Sequence, residues 1–179
     1  MSQSLPSLPT RLNLGCGLKP LRDHVNVDVV AAVNPDVLHD LNQYPYPFAD
    51  SRFSHVCAYD VVEHIEDLPA LFRELWRIGQ PGATVHLTTP HFSCANSFVD
   101  PTHRHHLSYY SWDYYTAGHP LNFYGNDGFR ILRRELVFAP TLLNKLIHRL
   151  ANRWPAAYES RWAWIFPSWF ISVDLAVVK

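Results

Sequence analysis

The chain has 179 residues, of which 47% are hydrophobic and 17% charged, and its formal net charge is −1. This length and apolar content fit one domain with a single core, and an aromatic content of 14% excludes a disordered chain. The balanced charge excludes the overall basic field of a nucleic-acid-binding protein.

Short strands dominate the first half of the chain. A Ser/Pro-rich lead-in covers residues 1–10, and five apolar stretches then predict strands at 11–15, 24–30, 36–41, 53–59 and 83–89. Between the last two strands, apolar residues recur at spacings of three and four from 67 to 79, which predicts a helix. Asp67 is its expected cap, and Gly79 its expected end. This order of elements predicts an α/β fold with a parallel sheet.

The pattern changes after Pro90. Residues 91–128 are rich in His, Tyr, Asn and Asp and show little periodicity, which predicts a long insertion that binds a ligand. Beyond it we expect a strand, an amphipathic helix, a Trp-rich segment and a final strand, at 129–138, 141–154, 155–170 and 171–178. We therefore predict a single domain over residues 1–179, in which a helical, Trp-rich part at 141–168 precedes the last strand.

The cysteines and the amino-terminal residues indicate in which cellular compartment the protein is expected. Cys16, Cys57 and Cys94 are odd in number and lack paired spacing, which predicts free thiols in a reducing compartment. The first residues have neither a cationic nor an apolar segment, so we expect no secretory signal. No apolar run reaches about 18 residues, so no spanning helix is expected. The cytoplasm is the expected location.

A glycine turn and a carboxylate form the strongest motif. Leu12-Asn-Leu-Gly-Cys-Gly17 ends the first predicted strand, and Asp28 ends the second. Glycines let the backbone approach a ligand closely, and an acid at the tip of the second strand can accept hydrogen bonds from both ribose hydroxyls. The pattern predicts a nucleoside-binding site.

This motif occurs with four others: Val-Asn-Val-Asp at 25–28, His-Asp-Leu at 39–41, Val-Val-Glu-His at 61–64 and Gln-Pro-Gly at 80–82. In order and spacing they resemble the class I S-adenosylmethionine-dependent methyltransferases, and in particular their small bacterial type 11 branch. The resemblance covers residues 11–90. It implies a Rossmann-like, seven-stranded sheet that is mostly parallel, with an antiparallel last strand and helices on both faces.

The resemblance also implies S-adenosylmethionine as cofactor, with S-adenosylhomocysteine as product. It implies that the cofactor-binding residues are Asn13, Gly15, Cys16, Gly17, Asp28, Val29, Asp40, Leu41, Tyr59 and Asp60. The chain departs from the family twice, because Asn13 and His55 stand where many members have acids. Asn13 can still form hydrogen bonds but cannot neutralise an ammonium group.

A histidine cluster follows the fifth strand, where open α/β folds bind their ligands. Methyl transfer to oxygen needs positioning of the acceptor hydroxyl and removal of its proton, which suits histidine. We predict His91 or His103 as the base, Asp100 as the residue that orients it and Arg104 as a substrate clamp. His105 and His106 are adjacent and cannot easily point to one site.

The acceptor class rests on a weaker resemblance. Residues 100–104, Asp-Pro-Thr-His-Arg, are similar to a segment of methyltransferase-like proteins of surface-polysaccharide synthesis, which implies a sugar or glycan acceptor. Arginine binds phosphate and carboxylate through two parallel hydrogen bonds, so an acidic group on the acceptor can be met by Arg104, Arg130, Arg133 and Arg134.

Two other interpretations remain open. A non-catalytic, cofactor-binding partner of a glycan-synthesis enzyme would explain the two departures. A metal-dependent enzyme would use a divalent ion held by His91, Asp100, His103 and His105, although their spacing matches no named metal motif and we predict no metal ligands.

The helix at 141–154 combines an apolar stripe with Lys145, Arg149 and Arg153, and tryptophans follow it. Such a helix either packs on its own sheet or across a dimer, or lies on a membrane surface as a peripheral contact. Trp-rich loops can also form a wall of a sugar pocket. The sequence leaves both a monomer and a homodimer open.

Overall fold

The computed structural model describes residues 9–120, 122 and 128–179. Positions 1–8 of the predicted lead-in lie outside the described residues, as do 121 and 123–127 of the predicted insertion. The described residues form a seven-stranded sheet in the order β3-β2-β1-β4-β5-β7-β6. Its strands are β1 (Arg11–Leu14), β2 (Val25–Asp28), β3 (Val37–Leu38), β4 (Phe53–Tyr59), β5 (Gly79–Pro90), β6 (Gly128–Val137) and β7 (Phe170–Val178).

The predicted α/β, Rossmann-like sheet is confirmed. Strands β1 to β5 pair in parallel, and β7 pairs antiparallel with both β5 and β6. Because the carboxyl ends of β1, β2, β4 and β5 meet at one edge, the turns after Leu14, Asp28, Tyr59 and Pro90 lie side by side. This edge carries the candidate site.

The α-helices of the described residues are α1 (Leu68–Ile78), α2 (Asn96–Val99), α3 (Leu142–Arg153) and α4 (Pro155–Arg161). The side chain of Asp67 accepts a hydrogen bond from the backbone N–H of Ala70 at 2.9 Å, so the predicted cap of α1 is confirmed. The short connection from Gly17 to β2 contains no helix, as its length predicts.

Strand boundaries differ from the prediction most at two places. Strand β3 keeps two residues of the expected 36–41, because only Val37 and Leu38 align with partners on β2. Strand β5 begins at Gly79 instead of 83, since Gly79 pairs with Phe53 beyond a register shift.

The core lies on the face of the sheet that packs against α1. Alternate residues of β5 and β7, including Val85, Leu87 and Val173, are fully or almost fully buried there. Phe72 of α1 lies edge-on to Phe129 of β6, with 5.5 Å between ring centroids. The opposite face carries half-exposed polar residues, which include His55, His86 and Asp174. His86 Nδ1 and Asp174 Oδ1 form a 2.6 Å hydrogen bond between β5 and β7.

Helix α3 buries only part of its apolar stripe. Ala151 is buried, whereas Leu142, Leu143, Leu146 and Leu150 are between 45% and 85% exposed. Of the predicted alternatives, packing on the chain's own sheet accounts for only part of the stripe, and Asn152 adds hydrogen bonds to the backbone of Leu136. Packing across a dimer and contact with a membrane surface stay predictions. Within the described residues, no helix combines the length and the apolar character needed to cross a bilayer.

Candidate active site

The turn after β1 depends on two glycines with positive φ, Gly15 at 63° and Gly17 at 49°. A Cβ on Gly15 would lie 2.4 Å from a methyl carbon of Val61, so the turn packs tightly against the segment after β4. A Cβ on Gly17 would meet nothing within 4 Å. The Gly17 side of the turn is therefore an open backbone surface that a ligand can approach closely.

Asp28 fixes this turn from the end of β2. Its Oδ2 accepts from the backbone N–H of Gly17 at 2.8 Å, and its Oδ1 accepts from the N–H of Val30 at 2.9 Å. A carboxylate offers about four acceptor positions, so two remain for the hydroxyls of a ribose. The next residue, Val29, is 62% exposed and offers an apolar surface beside them. This arrangement fits the nucleoside of S-adenosylmethionine.

The remaining predicted cofactor contacts lie along the same edge. Leu41 is buried, and Asp40 accepts from the backbone N–H of Asn42 at 2.9 Å. Tyr59 is half exposed at the end of β4. Asp60 follows with a φ of 56°, and its Oδ1 accepts from the Thr88 hydroxyl at 3.1 Å.

Asn13 lies inside the sheet. Its amide nitrogen donates to Oδ1 of Asn26 at 3.0 Å, and its own Oδ1 accepts from the Cys57 thiol at 3.6 Å. It thereby joins β1 to both neighbouring strands and is almost fully buried. These contacts assign a structural role to Asn13.

His91 is fully buried, with 0% exposure. Its Nδ1 accepts from the backbone N–H of Ser93, so its Nε2 carries the proton and donates to Glu159 at 3.0 Å. Glu159 also accepts from the backbone N–H of Tyr109 at 2.6 Å. Both ring nitrogens are therefore engaged in anchoring α4 to the turn after β5, and neither is available to a substrate.

Glu63, His64 and His103 come together beside this edge. Glu63 is 1% exposed, and neither of its carboxylate oxygens has a hydrogen-bond partner among the described residues. His103 Nε2 lies 3.9 Å from Glu63 Oε1, and the rings of His64 and His103 meet at 4.6 Å. Backbone N–H groups of Arg104 and His105 donate to the carbonyl of Glu63 and hold the two segments together.

Burial sets the protonation of this cluster. It raises the pKa of Glu63 to about 7, an effect that its backbone, the nearby Thr89 hydroxyl and His103 oppose and that Asp60 strengthens. Burial and the neighbouring His103 lower the pKa of His64. Near pH 7 Glu63 is therefore close to half ionised, and neutral His64 has a lone pair that can accept a proton or bind a cation.

Asp100 and Arg104 flank the cluster. Asp100 is exposed, and hydrogen bonds from the hydroxyl and N–H of Thr102 lower its pKa. The Thr102 oxygen also contacts His64 Nδ1 at 2.9 Å, so Asp100 orients His64 and not His103. Arg104 is paired with Glu66 at 2.7 Å.

The predicted arginine clamp is not assembled. Arg133 and Arg134 form ion pairs with Glu135 and Asp113, as Arg104 does with Glu66. These three side chains are thus bound to different carboxylates of the chain itself, and they do not converge on one anion.

Glu63 and His64 belong to the Val-Val-Glu-His motif at 61–64 but were not predicted as site residues. The signal was their position: Asp60, Glu63 and His64 all lie within five residues of the end of a parallel strand. The proposed metal set is corrected as well. His91 is engaged elsewhere, and His105 Nε2 donates to the carbonyl of Ile65 at 2.8 Å. In the described part, the groups with metal-binding spacing are Glu63-His64-His103 and His24-His55-Cys57.

Comparison with known proteins agrees with this geometry. Residues 18–87 match the family model described as Methyltransferase domain. The fold is similar to an S-adenosylmethionine-dependent methyltransferase from Mesorhizobium loti (TM-score 0.57, 17% identity, covering 96% of this chain and 93% of that one). It is also similar to one from Archaeoglobus fulgidus (TM-score 0.59, 18% identity, 93% and 85% covered).

A third similar structure is phosphoethanolamine N-methyltransferase 2 from Haemonchus contortus in complex with S-adenosylmethionine. Its TM-score is 0.52 at 16% identity, and the match covers 94% of this chain and 48% of that one. A search of curated protein sequences gave no match.

The sheet order, the glycine turn and Asp28 define a class I methyltransferase fold with a nucleoside site. The match to the Methyltransferase domain model covers residues 18–87, and together with the similar solved structures it confirms the fold expected from the motifs.

Proposed function

We propose that this enzyme methylates an oxygen of a small polar acceptor, with the hydroxyl of a sugar or glycan end as the leading class. The observation that carries the proposal is the buried, unpartnered carboxylate of Glu63 beside His64 and His103. The cluster lies at the same edge of the sheet as Gly17 and Asp28. A hydroxyl placed there meets groups suited to removing its proton.

The chain holds the nucleoside of the cofactor with Gly15, Gly17 and Asp28, and Val29 provides an apolar surface for the base. When bound, S-adenosylmethionine supplies a methyl group on a cationic sulfur, which leaves as the neutral thioether of S-adenosylhomocysteine. The acceptor oxygen gains the methyl group and loses its proton. The protein's task is to hold that oxygen in line and to take the proton.

His103 is the residue best suited to receive that proton in the metal-free protein. Its Nδ1 donates to the carbonyl of Ser97 at 3.1 Å, so its Nε2 carries the free lone pair. Nε2 lies 3.9 Å from the Glu63 carboxylate, which stabilises the imidazolium that forms. Glu63 thus acts through His103 as a positioning residue.

A cavity of about 600 Å³ supports a sugar-sized acceptor. Its lining includes His105, two positions after His103, together with Glu66, Trp112, Tyr114 and Tyr115. Aromatic faces next to a few polar groups suit the apolar and hydroxylated sides of a sugar ring. Together with the polysaccharide-type segment at 100–104, this cavity supports a role in surface-polysaccharide synthesis.

We place the enzyme in the cytoplasm. Its three cysteines are all free thiols, and all three are buried. A reducing compartment keeps such thiols unpaired.

Calorimetric titration with S-adenosylmethionine and S-adenosylhomocysteine tests the cofactor site. We expect affinity of about 1 μM (about −8 kcal/mol) that Asp28→Ala abolishes. A screen of sugar acceptors then tests turnover. His103→Ala should remove turnover and keep cofactor affinity, whereas His148→Ala, on the distant helix α3, should change neither. Absence of cofactor binding overturns the proposal, and so does turnover that survives His103→Ala. A merely cofactor-binding partner subunit would show no turnover with any acceptor.

A further inference from the structure

We infer that Glu63, His64 and His103 form a binding site for a divalent transition-metal ion such as Zn²⁺ or Mn²⁺. One ligand atom from each residue lies within 4.8 Å of the other two. Two imidazole nitrogens with one carboxylate oxygen are a donor set that such ions prefer over Mg²⁺ or Ca²⁺. The inference rests on the proposed function for its chemical role but not for its geometry.

Hydrogen bonds around the site free one nitrogen of His103 for the ion. The Nδ1 of His103 lies 3.1 Å from the carbonyl oxygen of Ser97. Because a carbonyl only accepts, this nitrogen carries the proton, and Nε2 keeps its lone pair on the side of Glu63. A backbone carbonyl on the outer nitrogen is the usual partner of a metal-binding histidine.

A second chain of hydrogen bonds prepares His64. The Thr102 hydroxyl donates to Asp100 Oδ1 at 2.7 Å, so its oxygen accepts from His64 Nδ1 at 2.9 Å. The remaining nitrogen, Nε2, is unprotonated. Asp100 and Thr102 therefore serve as outer partners that fix the tautomer of His64.

The carboxylate of Glu63 supplies the independent observation. It is buried, neither oxygen has a hydrogen bond of ordinary geometry, and the nearby Thr89 hydroxyl is the side chain placed to donate to it. Buried polar atoms are nearly always satisfied, so a buried carboxylate with so few donors indicates a missing partner. Histidine nitrogens and carboxylate oxygens bind Zn²⁺ at about 2.0–2.2 Å, which places tetrahedral ligands about 3–4 Å apart. The observed 3.9 Å between His103 and Glu63 needs only a small adjustment.

Three protein ligands leave coordination positions open. A hydroxyl of the acceptor bound there would lose its proton more readily, since the cation stabilises the alkoxide. The ion would then replace His103 as the group that activates the acceptor.

Calorimetric titration of tag-free, chelator-treated protein with Zn²⁺ and Mn²⁺, without cofactor, tests the site. We expect one ion per chain, and a loss in affinity of about tenfold or more in Glu63→Gln and in His64→Ala. His148→Ala, which removes a histidine far from the site, is the matched control and should bind as wild type does.

The inference is overturned if the wild type binds neither ion. It is also overturned if both variants bind with unchanged affinity, because the ion would then be bound by another cluster such as His24-His55-Cys57. If the variants fail to fold, the absorption spectrum of Co²⁺-loaded wild type decides, because a Cys ligand gives an intense thiolate band that the Glu63 site lacks. Metal binding without cofactor binding would refute the proposed function alone. Cofactor binding without metal binding would refute this inference alone.

A separate observation carries a second proposal. The exposed leucines of α3 (Leu142, Leu143, Leu146 and Leu150) continue into an apolar groove of about 420 Å³, whose lining includes Leu150, Trp154, Trp162 and Phe166. We call these residues the α3–α4 face. Apolar patches of this kind on a folded domain mark interaction sites.

The charge of the segment identifies the partner. Over residues 141–169, Lys145, Arg149, Arg153 and Arg161 outnumber the single carboxylate, Glu159, so the segment is +3 in a chain of net −1. Glu159 is turned inward to His91. We propose that the α3–α4 face binds the surface of an anionic bilayer, with its leucines and tryptophans at the boundary between headgroups and acyl chains. A second copy would carry the same net positive charge on this face, which disfavours the pairing of two such faces.

Co-sedimentation with vesicles of phosphatidylcholine, with and without phosphatidylglycerol, tests this face. We expect binding to the anionic vesicles alone, and a decrease of about tenfold in Lys145→Gln/Arg149→Gln and in Leu146→Gln. Leu132→Gln, a half-exposed leucine on β6, is the matched control. Absence of binding to anionic vesicles overturns the proposal. A dimer in sedimentation that Leu146→Gln dissolves, without vesicle binding, would assign the face to a second copy instead.

Discussion

Replacing Glu63 by glutamine is expected to stabilise the metal-free protein, and the gain in the free energy of unfolding over wild type is expected to grow as the pH rises. Burial raises the pKa of this carboxyl from 4.5 to about 7. Between these values the folded state holds a proton that the unfolded state has lost. The free energy of unfolding therefore falls as the pH rises from about 4.5, and the fall is complete above about pH 7.

The size of the effect follows from the two pKa values. Each pH unit of difference corresponds to about 1.4 kcal/mol, so the carboxylate costs about 3 kcal/mol once it is fully ionised. Glutamine has nearly the same shape and cannot ionise. The gain of Glu63→Gln over wild type is therefore expected to grow from below about 1 kcal/mol at pH 5 to about 3 kcal/mol at pH 8.

Urea unfolding at both pH values, in the presence of a chelator, measures this difference. Other titrating groups are common to both proteins and cancel. Glu66→Gln is the matched control, because Glu66 is exposed and paired with Arg104, so its removal should change stability by less than about 1 kcal/mol at either pH. A gain from Glu63→Gln that is the same at pH 5 and pH 8 would refute the reasoning.

Two further predictions concern the turns of the site. Gly15→Ala should cost about 2–3 kcal/mol and weaken cofactor binding, because its Cβ would meet Val61 at 2.4 Å, whereas Gly17→Ala should cost only about 1 kcal/mol from its positive φ. Urea unfolding and cofactor titration compare the two, and equal losses would contradict the role of Val61. His91→Ala should cost about 2–4 kcal/mol, since it leaves Glu159 buried without this partner, and cofactor affinity should stay unchanged. Lower affinity at unchanged stability would show that His91 contacts the ligand.

The glycine turn and the helix cap could be predicted because their contacts are local in the chain. Asp28 bonds to Gly17 eleven residues away across two adjacent strands, and Asp67 bonds to Ala70 three residues away. Strand ends, a cap and a Gly-rich turn are recognisable in short segments. The order of strands and helix predicted the parallel sheet, whereas the antiparallel last strand was implied by the family resemblance.

The contact between Glu63 and His103 in the Glu63-His64-His103 cluster could not be predicted from short segments. Glu63 and His103 meet across forty residues, and the contact depends on backbone hydrogen bonds from residues 104 and 105 to the carbonyl of Glu63. Likewise, the partner of His91 is Glu159, 68 residues further along. A histidine-rich segment therefore predicts that a site is near, but only the fold determines which ring nitrogens remain free.

The amphipathic pattern of α3 shows a related limit. Its periodicity correctly predicted a helix, because spacing of three and four residues determines which side chains share a face. The pattern contains no information on what covers that face. The structure leaves Leu142 85% exposed, and the charges beside it, not the periodicity, favour a bilayer as the partner.

The unsatisfied polar atoms of the described residues are concentrated near the chemistry. Three of the five buried side-chain atoms without a partner belong to Glu63 and Thr89, which lie where β4 and β5 end. A buried carboxylate that costs about 3 kcal/mol is a large fraction of the stability of a domain this size. A fold gains nothing from such a group unless a ligand satisfies it. Stability and turnover should therefore respond to Glu63→Gln in opposite directions, which is the behaviour of a group retained for function and not for folding.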